Sequence, residues 1–137
     1  MAVIDTRLRP SDTEKITINL GPIDLGQIDL LVQEGFYLNR TDLIRTAIRN
    51  QINTHADAVR QTVARRQLVL GLQHFSRDDL EALQASGQSL DIQVLGLASI
   101  ANDVPAELAR QTIRSISVLG ALHASTAVKA ALADRTR

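Results

Sequence analysis

Residues 15–20, Lys-Ile-Thr-Ile-Asn-Leu, alternate strictly between polar and apolar side chains, and Gly21-Pro22 ends the run. A period of two is the signature of a strand with one face covered. Ile16, Ile18 and Leu20 then share the inward face, while Lys15, Thr17 and Asn19 share the outward one. The outward set holds a cation, a hydroxyl and a carboxamide, which is equally the composition of a plain solvated face. The residues C-terminal to Pro22 decide how this strand is used.

Pro22 suits the first turn of a helix, where its missing N–H is no loss. Over 23–34, Leu25, Ile28, Leu31 and Val32 fall on one helical stripe, Asp24 lies at the positive end, and Gly35 supplies a left-handed cap. Phe36-Tyr37-Leu38 is a short apolar connection. Asn39 is a good N-cap for a second helix, with Asp42 as its third-position partner. Leu43, Ile44, Ala47, Ile48, Ile52, Ala56, Val59 and Val63 recur at helical spacing, and no Gly or Pro intervenes before Gly71. The pattern predicts a helix over 40–66, either continuous or broken near Asn53-Thr54.

An alternating strand, a Gly-Pro turn, an amphipathic helix, a Gly cap and a helix opening Asn39-Arg40-Thr41 resemble the ribbon-helix-helix (CopG/Arc/MetJ-type) DNA-binding proteins. Two stretches carry the resemblance: Glu-Lys-Ile-Thr-Ile-Asn-Leu-Gly at 14–21, and Leu-Asn-Arg-Thr-Asp-Leu-Ile-Arg-Thr-Ala-Ile at 38–48. So short a unit cannot bury its apolar faces alone. The resemblance implies an intertwined homodimer through residues 14–66, whose paired strands form a two-stranded ribbon in the major groove of double-stranded DNA. It also implies that Lys15, Thr17 and Asn19 read base edges. The start of the second helix, Asn39, Arg40 and Thr41, then holds a backbone phosphate, its free N–H groups and dipole favouring an anion. Arg7, Arg9 and Arg45 are further candidate DNA contacts.

Beyond residue 66 the chain repeats. Val-Leu-Gly-Leu at 69–72, Val-Leu-Gly-Leu at 94–97 and Val-Leu-Gly-Ala at 118–121 begin 25 and 24 residues apart. Each precedes a helix-like stretch, at 76–83, 103–110 and 125–133. A period of this length with a short β run and a helix reads as a strand-plus-helix stack. The alternative is an all-helical domain in which the triplets are accidental. The expected fold is α+β, mostly α: a flexible arm over 1–13, the ribbon-helix-helix unit over 14–66, and a C-terminal repeat and oligomerisation domain over 67–137.

Fifteen basic and fifteen acidic residues cancel, nine and eight of them falling in 1–66, so DNA binding must rest on local placement rather than bulk charge. Without cysteine there is neither a disulfide framework nor a thiolate metal site. His55, His74 and His123 lack ligand spacing, and Asp78-Asp79 with Glu81 and His74 reads as a charged helix start. No phosphate loop, nucleophile–base motif or dinucleotide fingerprint is present. No enzyme activity, cofactor, metal or membrane association is expected, and a cytoplasmic, nucleoid-associated location is. The expected function is a sequence-specific regulator, a repressor, tetrameric or higher through 67–137. The same fold also serves antitoxins, with a toxin protein as partner, although their tails are charged and disordered where this one is apolar and patterned. A third use is a DNA-organising or partition protein that polymerises through its C-terminal domain.

Overall fold

In the computed structural model the described residues are 3–5 and 13–137, the first three by their backbone. Arg7 and Arg9 lie outside them. The chain divides into two compact units, one of residues 15–62 and the other of residues 1–14 with 63–137.

In the first unit, residues 15–21 carry no regular secondary structure, so the strand expected at 15–20 is not formed in the single chain. A strand exists only with a hydrogen-bonded neighbour, and no other segment of the described chain pairs with this one. Helix α1 is Pro22–Gln33, with Gly21 as N-cap and Pro22 in its first turn. It ends in a Schellman motif: Gly35, at φ +82°, donates to the Val32 carbonyl, and Phe36 to that of Leu31. Helix α2 is Arg40–Thr54 and α3 is Ala56–Arg66. The uninterrupted helix over 40–66 is therefore two helices, broken at His55. There the Thr54 hydroxyl donates back to the Asn50 carbonyl at 3.0 Å, a local competitor of the helical ladder.

The second unit is a sheet backed by helices. After α3 come β2 (Val69–Phe75), α4 (Arg77–Ala85), β3 (Leu90–Ile100), α5 (Ala106–Thr112), β4 (Ile113–His123) and α6 (Thr126–Ala131). Strand β1 (Val3–Asp5) lies antiparallel on the outer edge of β2, and β2, β3 and β4 are parallel, in the order β1-β2-β3-β4. Residues 3–5, expected within a flexible arm, thus supply a partner to an edge that would otherwise be bare. At the far edge the Arg137 N–H donates to the Ile116 carbonyl at 2.8 Å, beside a bridge between Ile116 and Thr136.

The repeat is a register. Val69, Val94 and Val118 stand side by side, as do Leu70, Leu95 and Leu119, then Gly71, Gly96 and Gly120. All three glycines have φ between +123° and +139°, which L side chains avoid. A Cβ on Gly96 would lie 2.2 Å from the Gly71 carbonyl oxygen, and one on Gly120 would lie 2.1 Å from that of Gly96. The triplets are spaced by one strand-plus-helix unit because each bend must nest on the one before it.

On one face Phe75, Ile92, Val94, Ile100, Ile113 and Ile116 pack with Leu80 and Leu83 of α4, Leu108 and Ala109 of α5, and Val128 of α6. Ser76 and Ser125 cap α4 and α6 through their hydroxyls, whereas α5 begins at Ala106 rather than Asp103, with Pro105 as an N-cap that offers no side-chain hydrogen bond. The chain therefore has a well-filled core, and all of it lies in this unit.

Candidate nucleic-acid interface

Every sequence-predicted DNA contact among the described residues falls in the first unit, and Lys15, Thr17, Asn19, Asn39, Arg40, Thr41 and Arg45 are all exposed there. So are the side chains meant to face inward: Ile16 is 77% and Ile18 65% exposed, and Leu20 is half-buried. Helices α1, α2 and α3 hold no buried residue. Leu25, Ile28, Leu31 and Val32 are half-buried, while Ile23, Leu30, Phe36, Leu38, Ile48 and Ile52 lie open to solvent.

The start of α2 is built as its sequence implies. The Asn39 side-chain oxygen accepts from the Asp42 N–H at 2.8 Å, and the Asp42 carboxylate accepts from the Leu38 N–H at 3.0 Å. This cap occupies the third N–H of the helix and leaves those of Arg40 and Thr41, the first two, without an intrahelical partner. With the helix dipole these N–H groups favour an anion, and the Thr41 side chain is exposed at the same helix start. Asn39 acts as the N-cap of α2, its side-chain oxygen being already engaged.

The Arg40 guanidinium is engaged within the unit. It donates through Nε and Nη2 to both oxygens of Asp29 in α1, each at 2.8 Å. That hydrogen bond, aided by the charge, holds the Asp29 carboxyl below its ordinary value and raises Arg40. The pair fastens the start of α2 to α1 and leaves the Arg40 backbone N–H, rather than its side chain, free at the helix start. Nothing in the sequence marks Asp29 as this partner, since the two residues are eleven apart on different helices.

Several acidic residues and both histidines of the second unit are engaged within it. Asp79 closes a capping box with Ser76, Glu81 pairs with Arg77 at 2.8 Å, and His74 Nδ1 lies 3.1 Å from the Ser99 hydroxyl. His123 Nε2 meets Glu14 at 2.7 Å. Among the described residues no three His, Asp or Glu side chains gather as a metal site, and no helix is long and apolar enough to cross a membrane.

No curated protein and no solved structure matches the chain significantly. The model of the ribbon-helix-helix transcriptional regulator family matches residues 11–129. The match takes in the alternating hexamer, the capped start of α2 and the three Val-Leu-Gly strands alike. Exposed Lys15, Thr17 and Asn19, a capped helix start with free N–H groups and a match over most of the sequence agree, and the chain belongs to the ribbon-helix-helix family of DNA-binding transcriptional regulators.

Proposed function

We propose that this chain is a sequence-specific repressor whose DNA-reading part exists only as an intertwined homodimer. The observation that carries the reading is the absence of any buried residue in α1, α2 and α3, together with an alternating segment whose isoleucines lie open. Leaving so many large aliphatic side chains in water forgoes on the order of 1.5–3 kcal/mol for each one that could be buried. A second copy removes the problem. Residues 15–20 of both chains pair antiparallel, their Ile16, Ile18 and Leu20 cover the helices, and the backbone groups of both strands find acceptors and donors.

The ribbon then presents Lys15, Thr17 and Asn19 twice. Asn19 suits adenine, Lys15 guanine, and Thr17 a thymine methyl or an acceptor. The N–H groups of Arg40 and Thr41 with the Thr41 hydroxyl hold a phosphate on each side and fix the register of the ribbon, while Arg45 lies on the exposed side of the same helix. The C-terminal unit joins such dimers into tetramers or larger assemblies, which raises affinity for operators containing several sites.

Fluorescence anisotropy with a set of duplexes selected by the wild-type protein tests this reading. Replacing Lys15, Thr17 and Asn19 together by Ala reduces specific affinity to the level of unrelated DNA while the protein keeps its mass and circular dichroism. Retention of sequence preference by that variant would show that another surface reads the bases.

A further inference from the structure

The arginines of the C-terminal unit fall into two groups. Arg77, Arg110 and Arg114 pair with Glu81, Asp134 and Asp91, and Arg135 donates to the Arg110 and Ile113 carbonyls. The guanidiniums of Arg65, Arg66 and Arg137 make no hydrogen bond or ion pair among the described residues. Two of these three, Arg66 and Arg137, line one hollow of about 350 Å³, together with Leu68, Gln93, Ser117 and Leu119. It lies on the sheet face away from α4, α5 and α6, since the alternate residues Ile92, Val94, Ile116 and Val118 face the helix-side core.

The polar groups of this hollow are unused. Gln93 and Ser117 are neighbours across β3 and β4, both half-buried, and neither side chain has a hydrogen-bond partner among the described residues. No Asp or Glu side chain is part of the lining. Asp91, two residues before Gln93 on the same strand, gains some charge stabilisation from Arg137, but its hydrogen bonds go to Arg114 and Ser115. Leu68 and Leu119 make the remainder apolar, the first buried and the second 46% exposed.

The two cations enter from opposite sides. Arg66 ends α3 just before β2, whereas Arg137 lies beyond β4, its N–H on the Ile116 carbonyl. With strands about 4.8 Å apart, β2 and β4 stand roughly 10 Å from each other across β3. Guanidinium is suited to carboxylate, which it can hold with two hydrogen bonds. A cation at each side, amide and hydroxyl groups between them and an aliphatic lining match a ligand with an anion at each end of a short hydrocarbon. A lone phosphate would leave the leucines in water, and a monocarboxylate would leave one guanidinium unmatched.

We propose that this hollow binds a small aliphatic dicarboxylate. One carboxylate pairs with Arg66 and the other with Arg137, Gln93 and Ser117 hydrogen-bond between them, and the methylenes lie against Leu68 and Leu119. Such pockets set orientation by a few placed polar groups on an apolar lining. The site uses none of the residues assigned to DNA and does not depend on how copies of the chain assemble.

Isothermal titration calorimetry of the full chain without DNA tests this, with succinate, glutarate and adipate as probes. At least one of the three binds at one site per chain with a Kd of roughly 0.1–1 mM. Against that probe, hexanoate and inorganic phosphate bind at least about fivefold more weakly, and 1,6-hexanediol gives no heat of binding. Arg66→Gln and Arg137→Gln, both at exposed positions, each lower the affinity by a similar factor while circular dichroism is unchanged. Absence of binding by all three diacids overturns the proposal. Hexanoate binding as tightly as the best diacid overturns the two-ended site, and phosphate doing so overturns the apolar one. A diacid affinity that neither substitution alters puts the ligand elsewhere and overturns the assignment. The ligand comparison uses the wild-type chain alone, so it stands even if a variant fails to fold.

Discussion

Several single residues here carry costs that their chemistry alone does not reveal. Gly35 and Gly96 both have positive φ, but a Cβ on Gly35 meets nothing within 4 Å, whereas one on Gly96 meets the Gly71 carbonyl at 2.2 Å. Gly35→Ala therefore costs about 1 kcal/mol of backbone strain, and Gly96→Ala on the order of 4 kcal/mol, strain and overpacking together. Urea unfolding followed by circular dichroism measures both. Gln67 is the reverse case: at φ +54° it occupies the left-handed position of a Schellman motif, with its N–H on the Ala64 carbonyl and that of Leu68 on Val63. Gln67→Gly relieves the strain and stabilises by about 1 kcal/mol.

At the scale of elements, the start of α2 and the first residues of the β3–β4 pair each rest on an identifiable group. Thr41→Ala removes a hydroxyl from the proposed phosphate site without touching the cap, so on that proposal it weakens binding to all duplexes by a similar factor. A change confined to base preference would contradict the phosphate role. In the sheet, Asp91 of β3 accepts from Arg114 at 3.0 Å and from the Ser115 hydroxyl at 2.7 Å. The Arg114 hydrogen bond first, and that of Ser115 second, hold its pKa at about 2. The unfolded chain has Asp near 3.9, so the folded state binds protons less readily. The stabilisation is complete above about pH 4 and is lost as pH falls toward 2. Asp91→Asn flattens the pH dependence of stability in that window and has its largest effect at neutral pH. An unchanged acid limb would show that this pair does not stabilise the fold.

Across the whole molecule, what was legible in the sequence is what local pattern determines. The Asn39 cap, the Gly35 turn, the amphipathic stripe of α1 and the spacing of the three Val-Leu-Gly triplets depend on neighbours within a few residues or on close repetition. The break at His55 was less plain, because no Gly or Pro marks it and the Thr54 hydroxyl acts through a carbonyl four residues back. The pairing of Arg40 with Asp29, the place of Val3–Asp5 on β2 and the fastening of Glu14 to His123 join distant positions without any periodic signal. The hexamer at 15–20 is a separate matter. Its alternation describes a strand, yet no described segment of the single chain pairs with it, and the strand we propose there forms only when two copies meet.

That makes amide hydrogen exchange over residues 15–20 of the full-length protein the most direct measurement. If two copies pair through this segment, alternate amides from Lys15 to Leu20 exchange at least tenfold more slowly than in an unstructured chain. That protection vanishes on dilution to monomer or in the Ile16→Asp, Ile18→Asp variant. Exchange at the unstructured rate at every concentration, in protein that still selects its DNA sequence, would contradict the ribbon.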